Sequence, residues 1–220
     1  MKVILCAIET GFRYGLEIYE RLEPQGVRAD PYDLRPREKS KLALKALLYA
    51  ALLDYGAPDT LPELAAGSRG KPYFVESRYP EFNLSHSAKT MALAVASYPV
   101  GCDLEFVRPR KTIQNLVERY FPDQFERFKG LNSELQPGFF MRLWTLVEAS
   151  AKLSGRGLVD ISQIDIDFKA QTAGYFSAPK KMQATTFDLR LNLADESAPL
   201  QDQDSRAVLS VTHRAGDRPK

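Results

Sequence analysis

The stretch LWTLVEASAKLSG, residues 143–155, predicts the central helix of this protein. Its apolar residues recur at helical intervals, and the Ser-Gly pair at its end is typical of a helix stop. On a helix, Trp144, Glu148 and Lys152 follow one another at intervals of four residues, so their side chains lie on one side. One interpretation is an exposed Glu–Lys pair that contributes only about 0.3 kcal/mol to stability. The other is that this side of the helix carries chemistry.

A pair of acidic residues upstream favours the second interpretation. Asp103 and Glu105 are two residues apart in the predicted strand 100–107, so both side chains leave the same face. Neighbouring carboxylates repel each other unless a positive charge lies between them, and a hard divalent cation such as Mg²⁺ binds such oxygen ligands. Glu148 could complete a metal site, beside which Lys152 would hold a phosphate as a point charge. The alternative is an ordinary solvated pair of surface carboxylates.

The segment Ser85-His86-Ser87 adds hydroxyl and imidazole groups. It follows a predicted strand, 81–84, and is expected to form a polar turn. Together with Lys71, these side chains can hold phosphate oxygens. A nucleophilic Ser–His pair is a rival interpretation, although adjacent residues rarely orient as a catalytic triad and no third orienting acid is evident. A further alternative is a turn histidine whose hydrogen bonds are satisfied locally.

Composition narrows the class of protein. The chain has 220 residues, of which 44% are hydrophobic and 26% charged, and a formal net charge of +2. These values are typical of a globular protein, and the charge does not indicate nucleic-acid binding. The two cysteines, Cys6 and Cys102, form no zinc motif or disulfide framework. No stretch approaches the ~20 apolar residues of a membrane span, and the first apolar run is too short for a signal peptide. We therefore expect a reduced, soluble, cytoplasmic protein without a membrane partner.

The order of predicted elements indicates an α+β fold with mixed or antiparallel sheets. Strands are predicted at 3–8, 81–84, 91–96, 100–107, 164–168, 185–191 and 207–212. Helices are predicted at 42–53, at 112–128 with a restart or a kink at Pro122, and through the central stretch. Gly11 and Gly15 are expected to loosen the chain after the first strand, and 57–70 to form a loop. The predicted domains are an N-terminal half, 1–105, a C-terminal half, 106–213, and a flexible tail, 214–220.

Four segments, in this order and spacing, resemble the 4′-phosphopantetheinyl transferase superfamily in its single-chain, surfactin-synthetase-activating type. They are Gly70-Lys71-Pro72, Phe82-Asn83-Leu84-Ser85-His86-Ser87, Val100-Gly101-Cys102-Asp103-Leu104-Glu105, and Trp144 through Lys152 with Gly155-Arg156-Gly157-Leu158. They span about residues 70–158. No segment is specific by itself, so the resemblance rests on their combination.

The resemblance implies two pseudo-symmetric α/β halves with the active site in the cleft between them, where coenzyme A binds. It implies an enzyme of the holo-[acyl-carrier-protein] synthase type. Such an enzyme transfers the 4′-phosphopantetheine group to a serine of an apo acyl or peptidyl carrier protein and releases 3′,5′-ADP. The expected metal is Mg²⁺, with Mn²⁺ as an alternative. A monomer is expected because one chain carries both halves.

Residue roles follow from the resemblance by position. The expected metal ligands are Asp103, Glu105 and Glu148. The expected catalytic residues are Glu148, as the base that accepts the serine proton, and Lys152, which holds the pyrophosphate. The expected coenzyme A contacts are Lys41, Lys71, Pro72, Ser85, His86 and Lys152. Lys41 stands near the 3′-phosphate in place of a usual arginine, so it retains the charge but not the forked geometry.

One departure from the family pattern concerns the central helix. Val147 stands where many relatives have a lysine, so a proton relay through that lysine is not available. A catalytically degenerate relative that binds coenzyme A or carrier protein without turnover is therefore an alternative. Another is an unrelated Mg²⁺ phosphohydrolase that uses the same carboxylates on a water nucleophile.

A docking surface for the carrier protein is expected on the helix after residue 112. The candidate residues are Phe121, Phe125 and Phe128 with Arg119, Arg127 and Lys129. The alternative is that the aromatic rings belong to the core and the charges are merely solvated.

Overall fold

The computed structural model of the protein describes residues 1–22, 34–56, 62–67, 70–155, 164–167, 172–175, 182–192 and 204–214. The helices are α1 (Ile8–Leu22), α2 (Pro36–Leu52), α3 (Ile113–Tyr120), α4 (Pro122–Lys129) and α5 (Gln136–Ser154), with a 3-10 turn, Leu53–Tyr55, after α2. The strands are β1 (Lys2–Ala7), β2 (Leu64–Ala66), β3 (Pro72–Phe74), β4 (Glu81–Ser87), β5 (Thr90–Ala96), β6 (Val100–Phe106), β7 (Ile164–Asp167), β8 (Thr172–Tyr175), β9 (Met182–Asn192) and β10 (Asp204–Arg214). This mixture of helices and sheets is consistent with the predicted α+β class. The predicted tail lies outside the described residues except for Arg214.

Antiparallel sheets carry the site-bearing strands. One sheet has the strand order β1-β5-β4 and the larger one the order β6-β10-β9-β8-β7, while β2 and β3 form a separate pair. The strand β6 pairs with β10 from Val100↔His213 to Phe106↔Ala207. The predicted acidic pair therefore lies on an edge strand of the larger sheet. The predicted division of the chain at residue 105 stays a prediction.

Three apolar clusters pack the helices against the sheets and the two larger sheets against each other. One packs α5 against β7–β10 and the helices α3 and α4, and a second packs α1 and α2 against β4 and β5. The third joins the two sheets through Ala92, Ala94 and Ala96 of β5, which face apolar residues of β6 and β10. Small side chains at this junction let the sheets lie close together. None of the helices in the described ranges is long and apolar enough to cross a membrane.

The prediction that Gly11 and Gly15 loosen the chain was wrong, because both lie inside α1. A Cβ atom on Gly15 would lie 2.6 Å from the Leu42 carbonyl oxygen, and one on Gly11 would lie 3.1 Å from Cβ of Ala43. The glycines therefore let α1 approach α2. This packing outweighs the cost of about 1 kcal/mol that glycine imposes in a helix.

Two further local predictions need correction. The strand β4 continues through Ser85-His86-Ser87 to pair with β5, so this segment is not a turn, and the chain turns at Ala88 instead. Part of the predicted loop 57–70 forms β2, which pairs with β3. Residues 57–61, 68 and 69 of that loop lie outside the described residues. Polar residues fit inside β4 because one of its faces meets another strand rather than solvent.

The predicted helix restart at Pro122 is confirmed, since α3 ends at Tyr120 and α4 begins at Pro122. Two of the three proposed docking aromatics are core residues. Phe121 and Phe128 are only 5% and 2% exposed and pack in the α5 cluster. Phe125 is partly buried against the same cluster. The core interpretation therefore holds for Phe121 and Phe128, which are not available as docking residues.

Candidate active site

The strand β6 and the helix α5 meet at Gly101. A Cβ atom on Gly101 would overlap the carbonyl oxygen of Ala149 and lie 2.8 Å from the amide nitrogen of Leu153. Only glycine permits this approach. Since Ala149 and Leu153 directly follow Glu148 and Lys152 in the chain, the contact sets both of these side chains close to the acidic pair of β6.

Asp103 is a buried carboxylate that a lysine and a serine share. Its Oδ1 atom accepts hydrogen bonds from Lys152 Nζ at 2.6 Å and from Ser85 Oγ at 2.7 Å. Lys152 Nζ also donates to Ser85 Oγ at 3.0 Å, which closes a triangle. Among the described residues, nothing donates a hydrogen bond to the buried Oδ2 atom. Burial raises the pKa of Asp103, and the charge and hydrogen bond of Lys152 oppose that rise.

Side chains join β4 to β6, although the two strands belong to different sheets. Ser87 Oγ donates to Glu105 Oε2 at 2.8 Å, one step along from the contact between Ser85 and Asp103. At the other end, the amide of Cys102 donates to Asn83 Oδ1 at 2.9 Å. The Cys102 thiol also donates to the Asn83 carbonyl oxygen at 3.1 Å. These contacts fix the face of β4 against the acidic strand.

Glu148 is half-buried on α5 and faces this acidic pair. Burial first, and the neighbouring charge of Asp103 second, raise the pKa of Glu148 to about 7. The Lys152 charge and a hydrogen bond from the Trp144 side chain partly offset the rise. A carboxyl group whose pKa lies near neutral pH can accept or return a proton during a reaction. Glu148 therefore has the properties of a general base.

A cavity of about 480 Å³ lies between β3, the start of β4 and the end of α5. Its lining includes Lys71, the aromatic residues Tyr73, Phe74, Tyr79 and Phe82, and Gly155 at the end of α5. Lys71 Nζ donates to the carbonyl oxygen of Val100 at 3.3 Å, and burial lowers the pKa of Lys71. Gly155 follows Lys152 by three residues in the chain, although Lys152 itself does not line the cavity. The carboxylates of Glu76 and Glu81 line the cavity too, so the aromatic rings could stack on a ring of a ligand while Lys71 supplies a cation for its phosphate groups.

Like Lys71, three further predicted coenzyme A contacts lie outside the cluster of Lys152, Asp103 and Ser85. His86 is exposed, and strand alternation puts it on the opposite face of β4 from Ser85. Lys41 is exposed on α2, where its charge acts on Glu38. Pro72 begins β3, next to Lys71. Within the described residues, no hydrogen bond or ion pair joins these three side chains to Asp103.

Val147 faces the core rather than the cluster. Its exposed fraction is 0%, and it packs among the apolar residues between α5 and the larger sheet. A lysine at this position would have to lie in that apolar layer unless α5 rotated. The absence of the usual lysine therefore leaves the charges at Asp103, Glu148 and Lys152 unchanged.

The donor set fits a hard cation such as Mg²⁺. No described residue donates a hydrogen bond to Oδ2 of Asp103. The charges of Asp103 and Glu105 both raise the pKa of Glu148, as expected where a positive charge would be stabilising. In the described part of the chain, no three His, Cys, Asp or Glu side chains are grouped closely enough to hold a metal ion. Mg²⁺ commonly needs only one or two carboxylates from the protein, with waters and substrate phosphates as its other ligands.

Sequence reasoning missed Gly101 and the pairing of Ser87 with Glu105. The close approach at Gly101 depends on how a helix crosses a strand, which no local pattern reports. The alternation of Asn83, Ser85 and Ser87 was visible as a period of two. It would have indicated a polar strand face if the segment had not been interpreted as a turn.

Comparison with known proteins finds one family across the second half of the chain. A family model described as the 4′-phosphopantetheinyl transferase superfamily matches residues 99–208, half of the chain. The 4′-phosphopantetheinyl transferase HetI of Nostoc sp. is 38% identical over 106 residues, which are 45% of this chain and 44% of HetI. The 4′-phosphopantetheinyl transferase AcpT of Salmonella typhi is 35% identical over 144 residues, 64% of this chain and 67% of AcpT.

A third relative is the 4′-phosphopantetheinyl transferase of Bacillus subtilis. It is 32% identical over 110 residues, which are 50% of this chain and 48% of that protein. The chain thus spans about half the length of this relative and of HetI. The matched residues 99–208 include Asp103, Glu105, Glu148 and Lys152.

Proposed function

Because the chain belongs to the 4′-phosphopantetheinyl transferase superfamily, we propose that it transfers the 4′-phosphopantetheine group of coenzyme A to a serine of an apo acyl or peptidyl carrier protein. The observation that carries this proposal is the cluster of Lys152, Asp103 and Ser85, with Glu148 on the same helix as the lysine. This cluster offers a cation for phosphate oxygens and a carboxyl group that can take a proton. Both are needed for attack by a serine on a pyrophosphate.

The reaction forms one P–O bond and breaks another. The serine oxygen attacks the phosphorus that carries the pantetheine arm, and the bond to the bridging pyrophosphate oxygen breaks, which releases 3′,5′-ADP. Glu148 accepts the serine proton, since it lies on the same helix as Lys152 and near the acidic pair. Lys152 stabilises the negative charge that develops on the phosphate oxygens of the leaving group.

Asp103 and Glu105 would hold Mg²⁺, or Mn²⁺ in its place, and Glu148 would complete the set when the ion draws the three carboxylates together. When bound, the ion supplies positive charge to the pyrophosphate oxygens. The free oxygen Oδ2 of Asp103 supports this assignment. Lys71 and the cavity beside it would hold the coenzyme A molecule, with Pro72, Ser85, His86 and Lys41 as further contacts.

The finer properties of the enzyme are part of the same proposal. We assign it to the single-chain, surfactin-synthetase-activating type and to the holo-[acyl-carrier-protein] synthase activity. Two pseudo-symmetric halves would then enclose the cleft, and a cytoplasmic monomer would suffice. The alternative of a relative that binds without turnover is an outcome of the following experiment.

The test is a mass spectrum of an apo carrier protein after incubation with the full chain, coenzyme A and Mg²⁺. We expect a gain of one phosphopantetheine group, which is lost with EDTA and with Glu148→Gln. The matched control is Glu134→Gln, which removes an exposed carboxylate in the turn before α5 and should retain transfer. If several acyl and peptidyl carriers gain no mass while coenzyme A still raises the melting temperature, the binding-only alternative replaces the transferase.

A further inference from the structure

Two serines of β4 each hold one oxygen of a carboxylate on β6. Ser85 Oγ donates to Asp103 Oδ1 at 2.7 Å, and Ser87 Oγ donates to Glu105 Oε2 at 2.8 Å. The serines are two residues apart on one strand and the acids two residues apart on the other. The second contact therefore repeats the first, one step further along the strands.

Each contact leaves the other oxygen of its carboxylate free. The Oδ2 atom of Asp103 has no donor, and no hydrogen bond within the described residues reaches Oε1 of Glu105 either. A serine hydroxyl carries a single hydrogen, so it can anchor only one carboxylate oxygen. The result is a pair of carboxylates, each held by one oxygen, whose other oxygen accepts no hydrogen bond from the described residues.

We propose that Ser87 is a positioning residue that orients Glu105 to bind the divalent cation. This inference rests on the proposed function, since it assumes that the acidic pair holds a metal ion. By holding Oε2, the hydroxyl of Ser87 restricts rotation of the carboxylate and leaves Oε1 as the oxygen available to the ion. Hydrogen bonds of this kind to a ligand side chain commonly change metal affinity by about 10- to 100-fold.

Glu105 depends on its serine more than Asp103 does. Asp103 Oδ1 is held by Lys152 as well as by Ser85, so it keeps one partner when the other is removed. Glu105 is bonded by Ser87 alone among the described side chains. Loss of the Ser87 hydroxyl should therefore weaken metal binding without loss of the buried contact between Lys152 and Asp103.

The experiment measures Mn²⁺ binding to the full chain without coenzyme A, by the loss of the free-ion electron paramagnetic resonance signal. For Ser87→Ala we expect the Kd for Mn²⁺ to rise about tenfold relative to wild type. Ser87→Thr keeps a hydroxyl group at the same atom and should stay within about twofold of wild type. The matched control is Ser97→Ala, a half-buried serine just after β5, whose Kd should not change.

A purely structural role for Ser87 would affect the stability of the protein and not its affinity for Mn²⁺. Such a role predicts a lower melting temperature and an unchanged Kd for Mn²⁺ in Ser87→Ala, and this result would overturn the inference. Equal Kd values for Ser87→Ala and wild type, with a raised value for Glu105→Gln, would overturn it too. No Mn²⁺ binding by the wild-type protein would also overturn it.

Carrier-protein transfer, measured in parallel, separates this inference from the proposed function. Transfer with no effect of Ser87→Ala on Mn²⁺ affinity would leave the function standing and remove the inference. If Mn²⁺ binding depends on the Ser87 hydroxyl but no transfer occurs, the inference would stand and the proposed function would be removed. In active protein, Ser87→Ala should raise the Mg²⁺ concentration for half-maximal rate about tenfold and leave the KM for coenzyme A unchanged.

Discussion

The Nζ atom of Lys152 lies 2.6 Å from Oδ1 of Asp103, so the cation proposed to hold phosphate pairs with a buried carboxylate in the ligand-free protein. The Asp103 side chain is only 6% exposed and that of Lys152 30% exposed. A carboxylate this deeply buried needs a compensating charge. Lys152 thus has two roles, one in the stability of the free protein and one in the proposed reaction.

Replacing Lys152 by methionine should destabilise the protein. The change leaves Asp103 buried without its cation, and we expect the free energy of unfolding to fall by about 2 kcal/mol. The measurement is urea unfolding in EDTA. Asp103→Asn added to Lys152→Met should recover part of the loss, because the uncompensated charge is then gone. Strictly additive effects in this double-mutant cycle would show that the two side chains are not coupled.

Stability should fall with rising pH because of Glu148. The unfolded chain releases this proton near the ordinary pKa of 4.5, whereas the folded protein keeps it up to about 7. Between these values the folded state binds more protons, so the free energy of unfolding decreases as the pH rises through this window. Burial also raises the pKa of Asp103, so the loss of its proton likewise lowers the free energy of unfolding as the pH rises.

Urea unfolding in EDTA at pH values between 5 and 8 tests this dependence. Glu148→Gln has no such proton to lose, so its stability relative to wild type should increase across the range. Glu134→Gln, which alters an exposed carboxylate, should keep the wild-type slope. Parallel curves for wild type and Glu148→Gln would mean that the pKa of Glu148 is not raised in the folded protein.

Gly101→Ala should separate α5 from β6. Its Cβ atom would overlap the carbonyl oxygen of Ala149, and backbone on both sides can move little. We expect a loss of about 2 kcal/mol in the free energy of unfolding, together with loss of carrier-protein transfer. Gly130→Ala is the control, because its Cβ atom would meet nothing closer than 3.7 Å. A Gly101→Ala protein with wild-type stability would disprove the close approach.

Val147→Lys should destabilise the folded protein and should not restore a proton relay. Val147 is fully buried among apolar side chains, and an ammonium group there has no solvent. We expect the free energy of unfolding to fall by about 4 kcal/mol. Val147→Met, which matches the size without the charge, should lose only about 1 kcal/mol. A stable Val147→Lys protein with faster transfer would show that this residue can reach the site.

The central helix and the acidic pair could be predicted because their signals are local. The spacing of Trp144, Glu148 and Lys152 and the alternation of Asp103 and Glu105 each fix a shared face without knowledge of the rest of the chain. The strands β5 and β10 were predicted from short, mainly apolar runs, which are local signals as well.

What the sequence did not predict depends on contacts between distant segments. The helix α1 contains glycines that lower its local propensity, and it is stabilised by packing on α2. The polar residues Ser85 and Ser87 look like a turn until β6 is placed beside them. The raised pKa of Glu148 comes first from burial, which a sequence motif does not report.

The pairing of β6 with β10 has a consequence for the order in which the protein can assemble during synthesis. The ladder partners of the acidic strand are residues 207–213, which follow every other described strand. On the ribosome, β1, β4 and β5 can emerge and pair while Asp103 still lacks its neighbouring strand. Such non-local pairings form late because a long intervening chain must first be closed. Nascent chains that end before β10 should therefore lack the assembled site, even though they already contain all the residues proposed to act in it.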